Sequence, residues 1–174
     1  PQEEYYPEYQ IKIDDDGMKL QAKYDLVYID GEGTITIYDW KTQKRPINYR
    51  DIENSMQTRV YRYVMALGGD RLKGEDVAPE DIVMKYWQPK FPSQSVELSY
   101  SRRRFEKDRE FLRNLLYTIE EFDYESYDKA KSKTYCKKCE FNYFCNTDKV
   151  EYSSIFLEED IELDDWDDIE DIHF

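Results

Sequence analysis

With 174 residues, 40% of them apolar, the chain is long enough for one domain with a real core. Its 39 acidic residues against 25 basic ones give a formal charge of -14, which on its own argues against a polyanionic partner. Neither a signal-peptide pattern nor a transmembrane run is visible, and the cysteines number 3; an odd count disfavours a disulfide framework and fits a reducing cytoplasm.

The first expected element is a strand over residues 7–13, which Asp14-Asp15-Asp16-Gly17 turns into a second strand over residues 18–30. Gly31-Glu32-Gly33 is the next turn signal, and residues 34–41 make a third strand. Both of these strands are rich in Val, Ile, Tyr and Thr. If the three loop residues form the turn, with Gly33 in the left-handed position, Asp30 pairs with Thr34 and counting outward sets Asp25 opposite Asp39. Val27, Ile29, Ile35 and Ile37 then share a face with Asp25, Asp39 and Lys41, and that face is apolar enough to be the buried one. Like charges directly across a strand pair, Cβ atoms ~4.5–5.5 Å apart, are destabilising and need a compensating partner. A hard divalent cation with oxygen ligands is the natural candidate, with Lys41 beside it. A two-residue turn would break the parity. Taken alone, the D-x13-D-x-K pattern also reads as ordinary surface acids with Lys41 as their salt-bridge partner.

After Pro46 the period becomes helical, with Ile52, Met56, Val60, Val64 and Leu67 as the apolar stripe and Gly68-Gly69 as the stop. Gln57 and Tyr61, at i and i+4, form a polar row beside it, with Arg59 and Arg62 nearby. Residues 82–87 and 96–100 read as further strands. Ser101 then caps a helix with the stripe Phe105, Leu112, Leu116, Ile119 and Phe122.

Near the end, Cys136, Cys139 and Cys145 follow the spacing C-x2-C-x5-C, tight enough for a metal centre, with idle thiols as the alternative. Ten acids and no Lys or Arg lie between Glu158 and Asp171, so residues 1–157 carry 25 bases against 29 acids, about -4. Within that body the bases cluster at Lys41, Lys44, Arg45 and Arg50, at Arg102-Arg103-Arg104, and over residues 129–138, as phosphate-contacting patches or as solvated loop charges. Residues 1–150 are thus expected to form the domain, and residues 151–174 an acidic, disordered tail.

The runs YDLV, DWKTQ and QTRVY, in that order, resemble motifs II and III and the QxxxY motif of the PD-(D/E)XK nucleases. The closest subgroup is the RecB-like one, with the RecB and AddB nuclease domains and the CRISPR-associated exonucleases. The resemblance covers roughly residues 8–145. It implies a restriction-endonuclease-like α/β fold, with a mixed central β-sheet flanked by helices and a C-terminal cysteine region. It also implies that Asp25, Asp39 and the backbone carbonyl of Trp40 bind Mg²⁺ or Mn²⁺, that Lys41 orients or activates the attacking water, and that Gln57 and Tyr61 help hold DNA. The implied activity is metal-assisted DNA cleavage, by an exonuclease in repair, recombination or CRISPR adaptation, on single strands or duplex ends and in company with a helicase or another repair or CRISPR protein. In cluster-bearing relatives a C-terminal cysteine triplet, here Cys136, Cys139 and Cys145, joins a distant N-terminal cysteine around a [4Fe-4S] cluster; zinc is the alternative. The sequence departs from the family twice. The upstream His or Glu of motif I has no counterpart, since the one histidine is His173 and the one upstream acid within reach is Glu8, and the fourth cysteine is absent. One expectation meets both departures, a chain truncated before Pro1. The competing function is a nuclease fold that holds DNA or a protein without cutting.

Overall fold

The computed structural model describes residues 3–123. The cysteine triplet, the basic run at 129–138 and the acidic tail lie outside the described residues.

Strands β1 (Glu4–Asp15), β2 (Met18–Ile29) and β3 (Ile35–Trp40) form an antiparallel meander. Helices α1 (Tyr49–Glu53), α2 (Met56–Gly68) and α3 (Asp70–Lys73) cross over to β4 (Ile82–Trp87), which runs parallel to β3. Strand β5 (Val96–Ser99) pairs antiparallel with β4, and α4 (Arg102–Glu120) follows. The sheet order is β1-β2-β3-β4-β5, and the strand–strand–strand–helix–strand order is the expected one.

Turn chemistry sets the registers. Asp16 and Gly17, both with positive φ (52° and 87°), make the two-residue link between β1 and β2, the conformation that matches strand twist. In the second hairpin Gly33 has φ 87° and Asp30 N–H donates to Thr34 O at 3.1 Å, so the loop has three residues as the parity reading required. The Asp30 carboxylate reinforces it by accepting from the N–H groups of Glu32 and Thr34, both at 2.9 Å.

The buried face of the sheet carries Ile11, Ala22, Tyr24, Val27, Ile35, Ile37, Ile82, Met84 and Leu98. Helix α2 packs across β1, β2 and β4, and α4 lies against α2. At the far end of α2, Gly68 permits close approach to β1: a Cβ there would stand 2.5 Å from Ile11 Cγ2.

The helical stripes differ from expectation. The periodic segment is broken at Asn54 and Ser55, where Ser55 caps α2 by accepting from Thr58 N–H. Met56 and Leu67 are exposed, while Arg62, Tyr63, Val64 and Met65 are buried. The helix turns Arg62 inward because Asp108 of α4, fully buried, meets it together with Arg59 and Arg104 at 3.7, 2.7 and 3.2 Å. The second stripe holds at Phe105 and Leu112 and fails at Ile119, exposed in the last turn of α4, and at Phe122, exposed beyond the helix end.

Candidate metal centre

The site lies at the end of β3, where the apolar face of the hairpin meets the N-terminal turn of α2. Leu26 pairs with Tyr38, so the next step of the register brings Asp25 beside Asp39. Asp25 is half-buried, and its Oδ2 accepts from Trp40 N–H at 2.7 Å, which fixes its carboxylate against the end of β3. Asp39 is 3% exposed. Burial pushes its carboxyl above the ordinary range and the charge of Asp25 adds to that push; Lys41 and the Gln57 amide oppose it. Lys41 Nζ stands 2.9 Å from Asp39 Oδ2 and donates to Gln57 Oε1 at 2.6 Å, while Gln57 Nε2 donates to Asp39 Oδ1 at 2.7 Å. The ammonium also lies 5.6 Å from the centroid of the Tyr86 ring.

One oxygen matters most for the chemistry. Asp39 Oδ2 is buried and is compensated by the Lys41 ammonium at 2.9 Å, with no further hydrogen-bond partner among the described residues. Asp39 and its neighbour Asp25 still place two negative charges at a largely buried edge, an excess that a divalent cation would offset. Among the described residues no group of three or more His, Cys, Asp and Glu side chains gathers at one point, so the donor set is this pair. That set fits a small hard cation such as Mg²⁺, which takes one or two carboxylates and keeps water or substrate oxygens for the rest of its shell.

Of the predicted residues, Asp25, Asp39, Lys41 and Gln57 meet, and Trp40 joins them through its backbone. Tyr61 sits one turn further along α2 and donates to Lys23 O at 2.6 Å. Glu8 falls level with Asp25, between the Pro7–Leu26 and Tyr9–Tyr24 pairs, but its exposed carboxylate is paired with Lys23. Within the arginine triplet, Arg104 is drawn inward to Asp108 and to Asn54 Oδ1, while Arg102 and Arg103 remain exposed.

Two contributors had no signal at the sequence level. Gln88, fully buried at the end of β4, accepts from Ile47 N–H at 2.8 Å and donates to Arg45 O at 2.9 Å, pinning the basic loop that follows Lys41. Tyr86 lies beside Asp39 in the parallel register and shares a 2.6 Å hydrogen bond with Thr58 on α2. A glutamine after a strand and a tyrosine within one look like any others until the crossover folds back onto them.

A mixed five-stranded sheet with helices and two carboxylates and a lysine at the end of a β-hairpin define a restriction-endonuclease-like fold. A model of the PD-(D/E)XK nuclease superfamily matches residues 2–146, and the chain belongs to that superfamily. No curated protein matches it significantly. Among solved structures, "Crystal structure of SSO0001" is similar at 16% identity with a TM-score of 0.48. That match covers 82% of this chain, and the chain spans 61% of the other's length. No helix among the described residues is long and apolar enough to cross a membrane.

Proposed function

We propose that the chain is a divalent-metal-dependent deoxyribonuclease of the RecB-like kind, an exonuclease working from single strands or duplex ends in repair, recombination or CRISPR adaptation. The observation that carries this reading is the pair of neighbouring carboxylates at a largely buried edge, Asp39 held by Lys41 and Gln57 and Asp25 fixed on Trp40 N–H beside it. Asp25, Asp39 and the Trp40 carbonyl would hold Mg²⁺ or Mn²⁺. The cation, when bound, supplies Lewis-acid polarisation of the phosphate and lowers the pKa of a bound water. Lys41 contributes a fixed positive charge beside Asp39, placed to orient the attacking water or to meet a phosphate oxygen. The exposed Lys44, Arg45 and Arg50, on the segment that Gln88 pins, give a phosphate backbone a path to the site. Under the same reading Cys136, Cys139 and Cys145 serve a [4Fe-4S] cluster, or zinc, with a ligand from elsewhere; iron and zinc analysis of the purified full chain separates the two. A helicase or another repair or CRISPR protein is the proposed partner.

The donor set of two carboxylates among the described residues favours one second reading, a module that grips DNA without cutting it. The test is cleavage of end-labelled linear and circular DNA, single- and double-stranded, with Mg²⁺ or Mn²⁺. The expected result is loss of linear substrate from its ends, abolished by EDTA and by Asp39→Ala or Lys41→Ala. Equal activity in wild type and both variants would defeat the assignment. DNA binding without cleavage in the wild type would establish the second reading.

A further inference from the structure

Helix α2 is tied to both carboxylate-bearing strands, and each tie uses a group that a DNA contact would need. The Gln57 amide is fully oriented: Lys41 can only donate and the Asp39 carboxylate only accept, so Oε1 must face the lysine and Nε2 the carboxylate. That single amide therefore occupies Asp39 Oδ1 and aims the ammonium at Oδ2. One turn further on, two tyrosines interlock. Tyr61 Oη donates to Lys23 O at 2.6 Å, Tyr24 Oη donates to Tyr61 O at 3.0 Å, and the rings pack edge to face with centroids 5.1 Å apart. Lys23 and Tyr24 immediately precede Asp25 on β2, so this interlock references α2 to the segment that carries the first carboxylate. On the other flank, Thr58 binds Tyr86, the β4 neighbour of Asp39.

We propose that α2 is a positioning helix: Gln57 sets the Asp39–Lys41 pair, and the Tyr24–Tyr61 interlock sets the height of Gln57. Gln57, Tyr61 and Tyr24 are positioning residues, in place of the direct DNA contact that the resemblance implies for the first two. This rests on the nuclease reading above. The Tyr61 hydroxyl proton is committed to a strand carbonyl, and Tyr24 is fully buried, so neither offers a donor to phosphate.

The test compares full-length wild type with Gln57→Ala, Tyr61→Phe, Tyr24→Phe and the Gln57→Ala/Tyr61→Phe double variant. Mn²⁺ affinity is read by electron paramagnetic resonance, DNA affinity by fluorescence anisotropy in Ca²⁺, cleavage as kcat and KM, and folding by thermal melting. Gln57→Ala is expected to lower kcat and Mn²⁺ affinity by about 10- to 100-fold, the range found when groups that orient metal ligands are removed, with DNA affinity within about twofold of wild type. Tyr61→Phe and Tyr24→Phe shift the same two quantities in the same direction by less. Because Tyr61 acts through Gln57, its effect disappears in the Gln57→Ala background. A Gln57→Ala protein with weakened DNA binding but unchanged kcat and Mn²⁺ affinity would overturn the proposal, as would a Tyr61→Phe effect undiminished in the double variant. A wild type that binds Mn²⁺ without cutting DNA refutes the nuclease reading instead, and the Mn²⁺ affinities of the variants still decide the positioning role.

Discussion

Replacing Asp108 by alanine tests whether α4 is held to α2 by charge as well as by apolar packing. The Asp108 side chain is fully buried, with Arg59 at 2.7 Å, Arg104 at 3.2 Å and Arg62 at 3.7 Å. At an effective dielectric constant of ~20, the closest of these attractions is about 6 kcal/mol and the longest about 4–5 kcal/mol, before the cost of desolvating the ions. What remains after the mutation decides the outcome. Arg62 is 1% exposed, and burial already pulls its guanidinium below the ordinary arginine value, with Asp108 the first charge opposing that pull. Without Asp108 it is a buried cation left with the Tyr100 ring at 4.7 Å and long bonds to Ser99 O and Glu53 O at 3.4 and 3.5 Å, none of which carries a formal negative charge. Removing one partner of a buried ion pair costs ~3–5 kcal/mol, a large fraction of the ~5–15 kcal/mol that holds a typical domain together. The assay is urea unfolding of wild type, Asp108→Ala and Asp108→Asn at neutral pH, repeated in high salt. Both variants should lose several kcal/mol, and high salt should not close the gap, because a buried pair is poorly screened. The exposed Lys85–Glu97 pair, at 3.7 Å, provides the contrast, with a loss of no more than ~1 kcal/mol that salt abolishes. An Asp108→Asn protein within 1 kcal/mol of wild type would refute the reasoning and show that the three arginines are solvated or dispersed without their carboxylate.

A second expectation concerns acid. Burial pushes the Asp15 carboxyl up, but hydrogen bonds from Tyr63, Arg109 and Arg113 outweigh it and hold the group below its ordinary value of 3.8. A carboxyl depressed by folding contributes stability above the unfolded pKa and loses it as pH falls through the folded one; Asp15→Asn should therefore melt earlier than wild type at pH 7, with the difference shrinking as pH drops below about 3.8, and a pH-independent gap would contradict the sign. At Gly68 an added methyl meets Ile11 Cγ2 at 2.5 Å, so Gly68→Ala should cost ~1–3 kcal/mol in denaturant unfolding despite alanine's better helix propensity; a gain in stability would show that α2 lifts freely from β1. Asp39→Ala and Lys41→Ala should each reduce cleavage at least ~10²-fold while the far-ultraviolet circular dichroism stays that of wild type.

What the chain disclosed by itself follows the range of each interaction. The hairpin was legible because its signals are local: Gly33 is the residue that a left-handed loop position asks for, and once the loop has three residues, period-2 alternation carries Asp25 to Asp39. The Asp39–Lys41 end of β3 was legible for the same reason, since the two residues are two apart on one strand face. The inner face of α2 was not. Apolar periodicity selected Met56 and Leu67, yet the helix buries Arg62, because the carboxylate that makes an inward arginine tolerable lies on α4, where its pairing with Arg59 spans 49 positions of sequence. Tyr61 shows the same limit from the functional side. A tyrosine four residues after Gln57 reads as a surface partner for substrate until the fold brings the carbonyl of Lys23, 38 positions away, to its hydroxyl. Side chains committed to distant backbone groups carry no periodic mark, so a motif can announce which residues matter before anything announces what they touch. Under the positioning proposal, that difference separates a helix that grips DNA from one that holds the two carboxylates in place.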